Sequence, residues 1–326
     1  MEMQEAKKTL LIINPISGTR SKEGLEDLAA SVLAPAGMEL EIAYTGGPQD
    51  ASLMAARAAK EGFYAVVTAG GDGTVNAAAR ALTGTGTALG IIPCGSGNGL
   101  ARSIGLPSDF RSALRTIAEG RILTADHGVV NDVPFFCTFG VGFDAAVSEK
   151  FAASRRRGRI TYIKEVLREF IDYTPQSYAI SVNGYVITDK AFLIAVANAP
   201  QYGNNAYIAP KASITDGFLD LTVVHSGSPL STALLGVDLM TGYLDRNTLI
   251  NTFRISAATI TRLEAGPAHA DGEPIEMGKT LEVECRPASL RLFVPDADLR
   301  VRPIISPLKA FFSDLHYDIV DKIRQF

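Results

Sequence analysis

Three glycines, one carboxylate and one hydroxyl close an apolar run in Val66-Val67-Thr68-Ala69-Gly70-Gly71-Asp72-Gly73-Thr74-Val75-Asn76. Glycines at such a place let backbone N–H groups approach an anion, because no Cβ intervenes and positive φ is allowed. Thr74 or Asn76 can open a helix whose positive dipole end faces the same spot. Asp72 is the odd member, since a carboxylate repels a bare phosphate. It points to a bound metal ion or to a proton that must be removed, and so to phosphoryl transfer rather than nucleotide storage. A second glycine turn, Pro93-Cys94-Gly95-Ser96-Gly97-Asn98, and a polar turn, Asn14-Pro15-Ile16-Ser17-Gly18, also follow apolar runs. Ser96 can donate to a phosphate or to adenine, or it can cap a helix over Leu100 to Ile104. Asp271-Gly272 is a common hairpin-turn pair, and the neighbouring His269 reads as structural. Asp144, after Gly142-Phe143, reads on its own as a surface or capping carboxylate. Arg155-Arg156-Arg157-Gly158-Arg159 is either a solvated basic cluster or a docking point for anionic lipid.

The elements that must carry these turns are legible from periodicity. Strands are expected over Thr9 to Asn14, Glu39 to Tyr44, Tyr64 to Ala69 and Ala88 to Ile92, alternating with helices over Lys22 to Leu33, Asp50 to Glu61 and Val75 to Leu82. That rhythm predicts a parallel sheet covered by helices on both faces, with ligands beyond the carboxyl ends of its strands. The three turns should then share one crevice. From Ala125 onward the character changes. Asp126 to Gly140, Ser177 to Val186, Ala191 to Ala197, Phe218 to Val224, Thr259 to Glu264 and Leu281 to Arg286 read as strands of an antiparallel sandwich. Helices are expected to interrupt it at Ser148 to Tyr173 and Leu230 to Leu244. The expected division is therefore an α/β domain over 1–125 and a β-sandwich over 126–305. The final stretch, 306–326, carries Leu308, Phe311, Phe312, Leu315, Ile319 and Ile323 as one apolar helical stripe. Packing back on the core is its default reading, with a homodimer or membrane contact as the alternatives.

Bulk composition excludes several classes. The 326 residues suffice for two ordinary domains, and an apolar share of 47% supports a well-buried core. With 31 basic against 35 acidic residues the net charge is −4, which argues against a nucleic-acid binder held by bulk charge. Cys94, Cys137 and Cys285 are three widely spaced cysteines in apolar surroundings. They read as reduced thiols of a cytosolic protein, not as a disulfide frame or zinc site. Met1 to Leu11 is charged with a short apolar run, unlike a signal peptide. No apolar run reaches about 18 residues, so membrane contact is expected to be peripheral.

Taken together, the motifs resemble the diacylglycerol kinase catalytic-domain family, which includes bacterial soluble lipid kinases, sphingosine kinases and ceramide kinases. The resemblance spans roughly residues 8 to 295. It rests on Asn14 to Gly18, Gly70 to Thr74, Pro93 to Asn98, Asn131 to Asp144, Thr215-Asp216-Gly217-Phe218-Leu219-Asp220, and Ala270-Asp271-Gly272-Glu273. It implies ATP-dependent transfer of the γ-phosphoryl group to a lipid hydroxyl, with a Rossmann-like nucleotide half, a β-sandwich lipid half, and the active site in the cleft between them. By position, Asn14, Ser17, Gly18, Thr45, the loop Gly70, Gly71, Asp72, Gly73, Thr74, Val75 and Asn76, and then Ser96, Gly97 and Asn98 are implied nucleotide contacts. Asp271 matches the carboxylate proposed as general base in bacterial members. Asp72 matches the loop aspartate assigned to Mg²⁺ or, in sphingosine-kinase-like members, to the base role. Glu273 would help to position Mg²⁺ or nucleotide. Asp216, with the carbonyls of Ser213 and Phe218, resembles a structural Mg²⁺ site, and Asp144 lies where relatives meet lipid head groups. Two positions depart from the bacterial pattern: Gly99 stands where Asp is usual, and Ala77 where Glu is usual. Gly99 gives the third turn a sphingosine- or ceramide-kinase look. The implied setting is cytoplasmic with transient membrane association. NAD kinase, which shares the glycine loop, and a weakly catalytic lipid-binding regulator are the competing readings.

Overall fold

A computed structural model of the chain describes residues 6–18, 21–153, 173–227 and 235–296, except 183, 204, 205, 236, 237, 243, 245 and 246. The first half runs β1 (Lys7–Ile13), α1 (Leu25–Leu33), β2 (Met38–Tyr44), α2 (Asp50–Lys60), β3 (Ala65–Gly70), α3 (Asp72–Leu82), β4 (Ala88–Pro93), α4 (Gly99–Ser103) and α5 (Phe110–Glu119). Next come β5 (Arg121–Val130), β6 (Val133–Phe135), β7 (Thr138–Gly142) and α6 (Phe143–Ala153). Strands β8 (Gln176–Val182), β9 (Tyr185–Ala191), β10 (Leu193–Ala197), β11 (Leu219–Val224) and β12 (Ile250–Ile255) follow. The last four are β13 (Ala257–Arg262), β14 (Gly266–Ala270), β15 (Glu273–Met277) and β16 (Thr280–Val294).

The first four strands pair in parallel in the order β2-β1-β3-β4. Every residue of β3 and β4 is buried, as expected for strands covered on both faces. Helix α2 turns Ala51, Ala55 and Ala58 inward, and the small side chains let it lie close on the sheet. The second half is a sandwich. Its inner sheet has the order β12-β11-β10-β7-β14-β15, and Phe139, Val141, Ile194, Val196 and Leu221 from that sheet pack against Tyr178, Ile180, Ile260 and Leu281 from the other.

The α/β sheet and the outer sandwich sheet are one ten-stranded sheet. The boundary expected near residue 125 falls inside β5, which pairs with β16 along nearly its whole length. A register shift between Arg286 and Leu290 bends β16. Its first half pairs with β13, and its last residues lie beside β4, at Leu292 and Leu89. Asp126 holds this bend: one carboxylate oxygen accepts from Ala288 N–H at 2.7 Å and the other from Gly217 N–H at 2.7 Å.

Some expected elements differ. The run Asp126 to Gly140 is broken by Asn131 and Asp132, both at positive φ, where Asn and Asp are tolerated. Helix α6 starts five residues before the expected Ser148, at Phe143. The expected single strand Ser177 to Val186 is a hairpin, β8 ending at Val182 and β9 starting at Tyr185, while β12, β14 and β15 escaped the periodicity reading because each is short and interleaved with polar residues. Within the expected helix from Leu230 to Leu244, the described residues 235 and 238–241 are helical. The cluster Arg155 to Arg159 and the stripe over 306–326 lie outside the described residues. Among the described residues no helix is long and apolar enough to cross a membrane.

Candidate active site

Because β1, β3 and β4 are adjacent and parallel, their carboxyl ends bring the three turns together. Asn14 N–H donates to Ala69 O at 3.0 Å and Cys94 N–H to Gly70 O at 2.9 Å. The Asn14 side-chain amide donates to Thr74 Oγ1 at 2.9 Å, while the Ser17 hydroxyl donates to Asn14 O at 3.1 Å. Gly18 is at φ 72°, and a Cβ there would fall 1.7 Å from Cys94 O, so only glycine closes the first turn on the third. Thr45 joins the rim through its N–H to Ile13 O. Helix α3 starts at Asp72 itself, with Gly71 as the extended residue before it, so Thr74, Val75 and Asn76 lie within its first turns. Neither Thr74 nor Asn76 is the cap expected from sequence.

Asp72 reaches sideways rather than outward. Its Oδ2 accepts from Asn98 N–H at 2.8 Å and its Oδ1 from Gly99 N–H at 2.6 Å. It thereby supplies the acceptor for the start of α4, a role expected of Ser96, which is exposed. Gly97 must be glycine for this contact, since a Cβ there would stand 2.7 Å from Asp72 Oδ2. Asn98 holds the turn from within, its side chain accepting from Gly95 N–H and donating to Gly95 O.

Asp271 enters from the sandwich half. Residues 271 and 272 form the two-residue link between β14 and β15, both at positive φ, as an Asp-Gly hairpin turn requires. The turn and the carboxylate singled out by the motif are the same residues. Oδ1 of Asp271 accepts from Cys137 N–H at 2.7 Å and Thr138 N–H at 3.0 Å, and Oδ2 from Phe136 N–H at 2.8 Å. Burial raises this carboxyl above its ordinary value, against the pull of those three N–H groups and of Arg80. Arg262 clamps the open end of the hairpin, donating to the carbonyls of Gly266, Pro267, Met277 and Gly278.

The two aspartates meet at Cys137. Its N–H binds Asp271, its Sγ lies 3.5 Å from where a Gly99 Cβ would be, and that same point is 3.7 Å from Asp72 Oδ1. Burial raises the Cys137 thiol well above its usual value, and the charges of Asp271 and then Asp72 add to it. The Tyr202 carbonyl closes over Gly99 from the sandwich side, 3.3 Å from the same point. The glycine loops and the sandwich carboxylate thus converge around Cys137 and Gly99.

Sequence reasoning missed what surrounds these residues. Asp144 Oδ2 accepts from the Tyr202 hydroxyl at 3.0 Å and lies 3.1 Å from His269 Nε2, while Oδ1 accepts from Ala145 N–H. His269 Nδ1 accepts from Gly272 N–H, which leaves the ring proton on Nε2 for Asp144. His269 thus links Asp144 to the Asp271 turn. Glu273, from the sandwich half, pairs with Arg80 of α3 at 3.3 Å. Arg80 is the one basic residue of an alanine-rich helix, which is the signal that could have flagged it.

Among the described residues no three His, Cys, Asp or Glu side chains stand together as a metal site, and of the two implied Mg²⁺ places only Asp72 keeps oxygen acceptors to offer alongside a nucleotide. Each Asp72 oxygen takes one N–H and retains acceptor capacity, as an oxygen-seeking cation needs. Asp216 does not fit as arranged. Its Oδ1 accepts from Phe218 N–H, its Oδ2 pairs with Arg254, and the guanidinium lies 4.9 Å from the Phe218 ring centroid. The Asp216 turn therefore carries an internal cation where the resemblance implies a metal.

Two family models cover most of the chain: the diacylglycerol kinase catalytic domain over residues 8–130 and the YegS C-terminal NAD kinase beta sandwich-like domain over 137–294. A Klebsiella pneumoniae protein named "Probable lipid kinase YegS-like" is 30% identical over 294 residues, covering 88% of this chain and 96% of its own. A Mycobacterium tuberculosis protein named diacylglycerol kinase is 31% identical over 239 residues, 70% of this chain and 76% of its own. The crystal structure of a diacylglycerol kinase from Bacillus anthracis matches with TM-score 0.69 and 20% identity, covering 90% of this chain and 98% of that one. That last likeness speaks to the fold. By its two domains and its full-length relatives, the chain belongs to the diacylglycerol kinase catalytic-domain family of lipid kinases.

Proposed function

We propose that the protein transfers the γ-phosphoryl group of ATP to the hydroxyl of a lipid of the diacylglycerol class. The observation that carries this reading is the convergence of Asp72, from the glycine loop, and Asp271, from the sandwich, on Cys137. The loops after β1, β3 and β4 offer backbone N–H groups and the start of α3 to the phosphates of ATP. Mg²⁺, when bound with ATP near Asp72, supplies neutralisation of phosphate charge. Phosphoryl transfer then needs positioning and a group to take the acceptor proton, not covalent chemistry by the protein. Asp271 is that group. A lipid hydroxyl is barely acidic, and a carboxylate raised by burial is a better base than an exposed one. Its three backbone N–H partners hold it in one orientation.

The acceptor reading leans on Asp144. A sphingoid base would bring an ammonium, whereas diacylglycerol brings no charge. Asp144 is already engaged by Tyr202 and His269, which favours the neutral acceptor. A sphingoid base or ceramide is the second reading, favoured by Gly99 in the third turn. Asp144→Ala separates them: a loss confined to the sphingoid substrate supports the second. Since the acceptor resides in a bilayer, the protein is a transient visitor to the cytoplasmic membrane surface. Sedimentation with anionic vesicles tests this, comparing the wild type with an Arg155/Arg156/Arg157 triple alanine variant. Radiolabelled ATP incubated with a mixed lipid extract tests the activity as a whole. Labelled phosphatidic acid is the expected product, labelled NADP on adding NAD would instead identify an NAD kinase, and no labelled product would overturn the enzyme reading.

A further inference from the structure

Arg80 lies on α3 about two turns beyond the phosphate-facing loop. Its Nη2 donates to Glu273 Oε2 at 3.3 Å, from the nucleotide half to the sandwich half. Glu273 Oε1 lies 3.3 Å from where a Cβ of Gly73 would stand, so this carboxylate also rests on the first turn of α3. One side chain from the Asp271 hairpin thus touches α3 at both Gly73 and Arg80. The face of α3 that carries Arg80 is also unusual. Asn76, one turn earlier, is 3% exposed, and neither its Nδ2 nor the buried Arg80 Nε has an acceptor among the described residues. Buried donors without acceptors are costly, and here two stand in sequence on one face. The charged and titratable groups around Arg80 are Glu273 and Asp271 from the hairpin, with Asp72 and Cys137 beyond them.

We propose that Arg80 is a positioning residue for phosphoryl transfer: through Glu273 it locks the Asp271–Gly272 turn of the sandwich onto the helix that carries the phosphate loop. The proposal rests on the kinase reading for its catalytic consequence, but the lock itself is a property of the folded chain. A base and a nucleotide carried by different halves need such a tie, because a displacement of about 1 Å between reacting groups can cost about a hundredfold in rate. Arg80 does not meet the transferring group. It sets where Asp271 stands relative to it.

The test uses the full chain with Arg80→Ala, Arg80→Lys, Glu273→Ala and the Arg80/Glu273 double alanine variant, with thermal melts to confirm folding. Arg80→Ala is expected to lower kcat at least about thirtyfold, with the Kd for ATP within about threefold of wild type. Arg80→Lys, which keeps the charge, should recover most of the loss. The double variant should be no slower than the slower single variant, as for two residues that act as one contact. Hydrogen exchange provides a readout free of turnover: the amides of 271–273 should exchange faster in Arg80→Ala, and those of β1 should not. A kcat within threefold of wild type in Arg80→Ala, or additive losses in the double variant, would overturn the lock. If the wild type labels no lipid but Arg80→Ala still loosens the hairpin, the lock stands and the kinase reading falls. If lipid is labelled and 271–273 exchange alike in both, the lock falls and the kinase reading stands.

Discussion

Asp271 is pulled in two directions at once. Three backbone N–H groups stabilise its charged form, while burial penalises it, and burial dominates. A base must be deprotonated to work, so activity should fall as pH drops through this raised value, above the usual carboxylate range. Asp271→Asn should lower turnover by at least about a hundredfold with ATP binding kept, and the acid limb should disappear from whatever rate remains. A near-normal rate in that variant would move the base role to Asp72. Asp72 has a different task in the fold, joining the second and third turns through Asn98 and Gly99. Gly97→Ala tests that join, since the new Cβ would stand 2.7 Å from Asp72 Oδ2. Weaker ATP binding, by about tenfold, with an unchanged melting temperature is expected from an overpacking strain confined to the loop. Unaltered nucleotide affinity would show that the join is not needed for binding.

The hairpin β14–β15 shows how much depends on residues remote from the chemistry. Its two-residue turn orients Asp271, and its open end is held by Arg262, a residue 5% exposed whose guanidinium meets four carbonyls. Arg262→Ala leaves those carbonyls without donors and should cost about 2–4 kcal/mol, read from the denaturation midpoint in urea. A shift below about 0.5 kcal/mol would mean that water replaces the guanidinium without loss. At this scale sequence reading served unevenly. Asp271-Gly272 announced a hairpin by local turn chemistry. The flanking strands did not announce themselves, because Pro267, Pro274, Glu276 and His269 interrupt any apolar alternation.

Across the whole molecule, the two halves are not separate bodies joined at residue 125. Strand β16 leaves the sandwich, bends at the Asp126 contacts and finishes beside β4. Leu290, Leu292 and Val294 from it lie in the same core as Leu10, Val66 and Ile91. The continuous sheet therefore ties the nucleotide half to the outer layer of the sandwich, and the Asp271 hairpin belongs to the other layer. Stability across pH is also a property at this scale. Burial raises the Asp220 carboxyl to about 6, with Lys211 pulling the other way. The folded chain then binds more protons than the unfolded chain between about pH 4 and 6, so stability falls as pH rises through that window and levels off above it. Asp220→Asn lacks this dependence. Its melting temperature should gain on the wild type as pH rises from 4 to 6, and parallel curves for the two proteins would refute the assignment.

The apolar runs that end in glycine turns determine a parallel α/β half and its phosphate-facing loops, because strand burial, turn chemistry and helix starts are local preferences within a few residues. The family motifs added the two carboxylates on the same terms. Only the tertiary structure decided what those carboxylates touch. The partners of Asp72, Asp271 and Glu273 lie 26, 135 and 193 residues away in the chain. Such distances are closed by strand order and by the return of β16, which no local preference encodes. The same reason explains why Arg80 passed as an ordinary helix residue and why Asp216, which by its motif resembled a metal ligand, is engaged by Arg254.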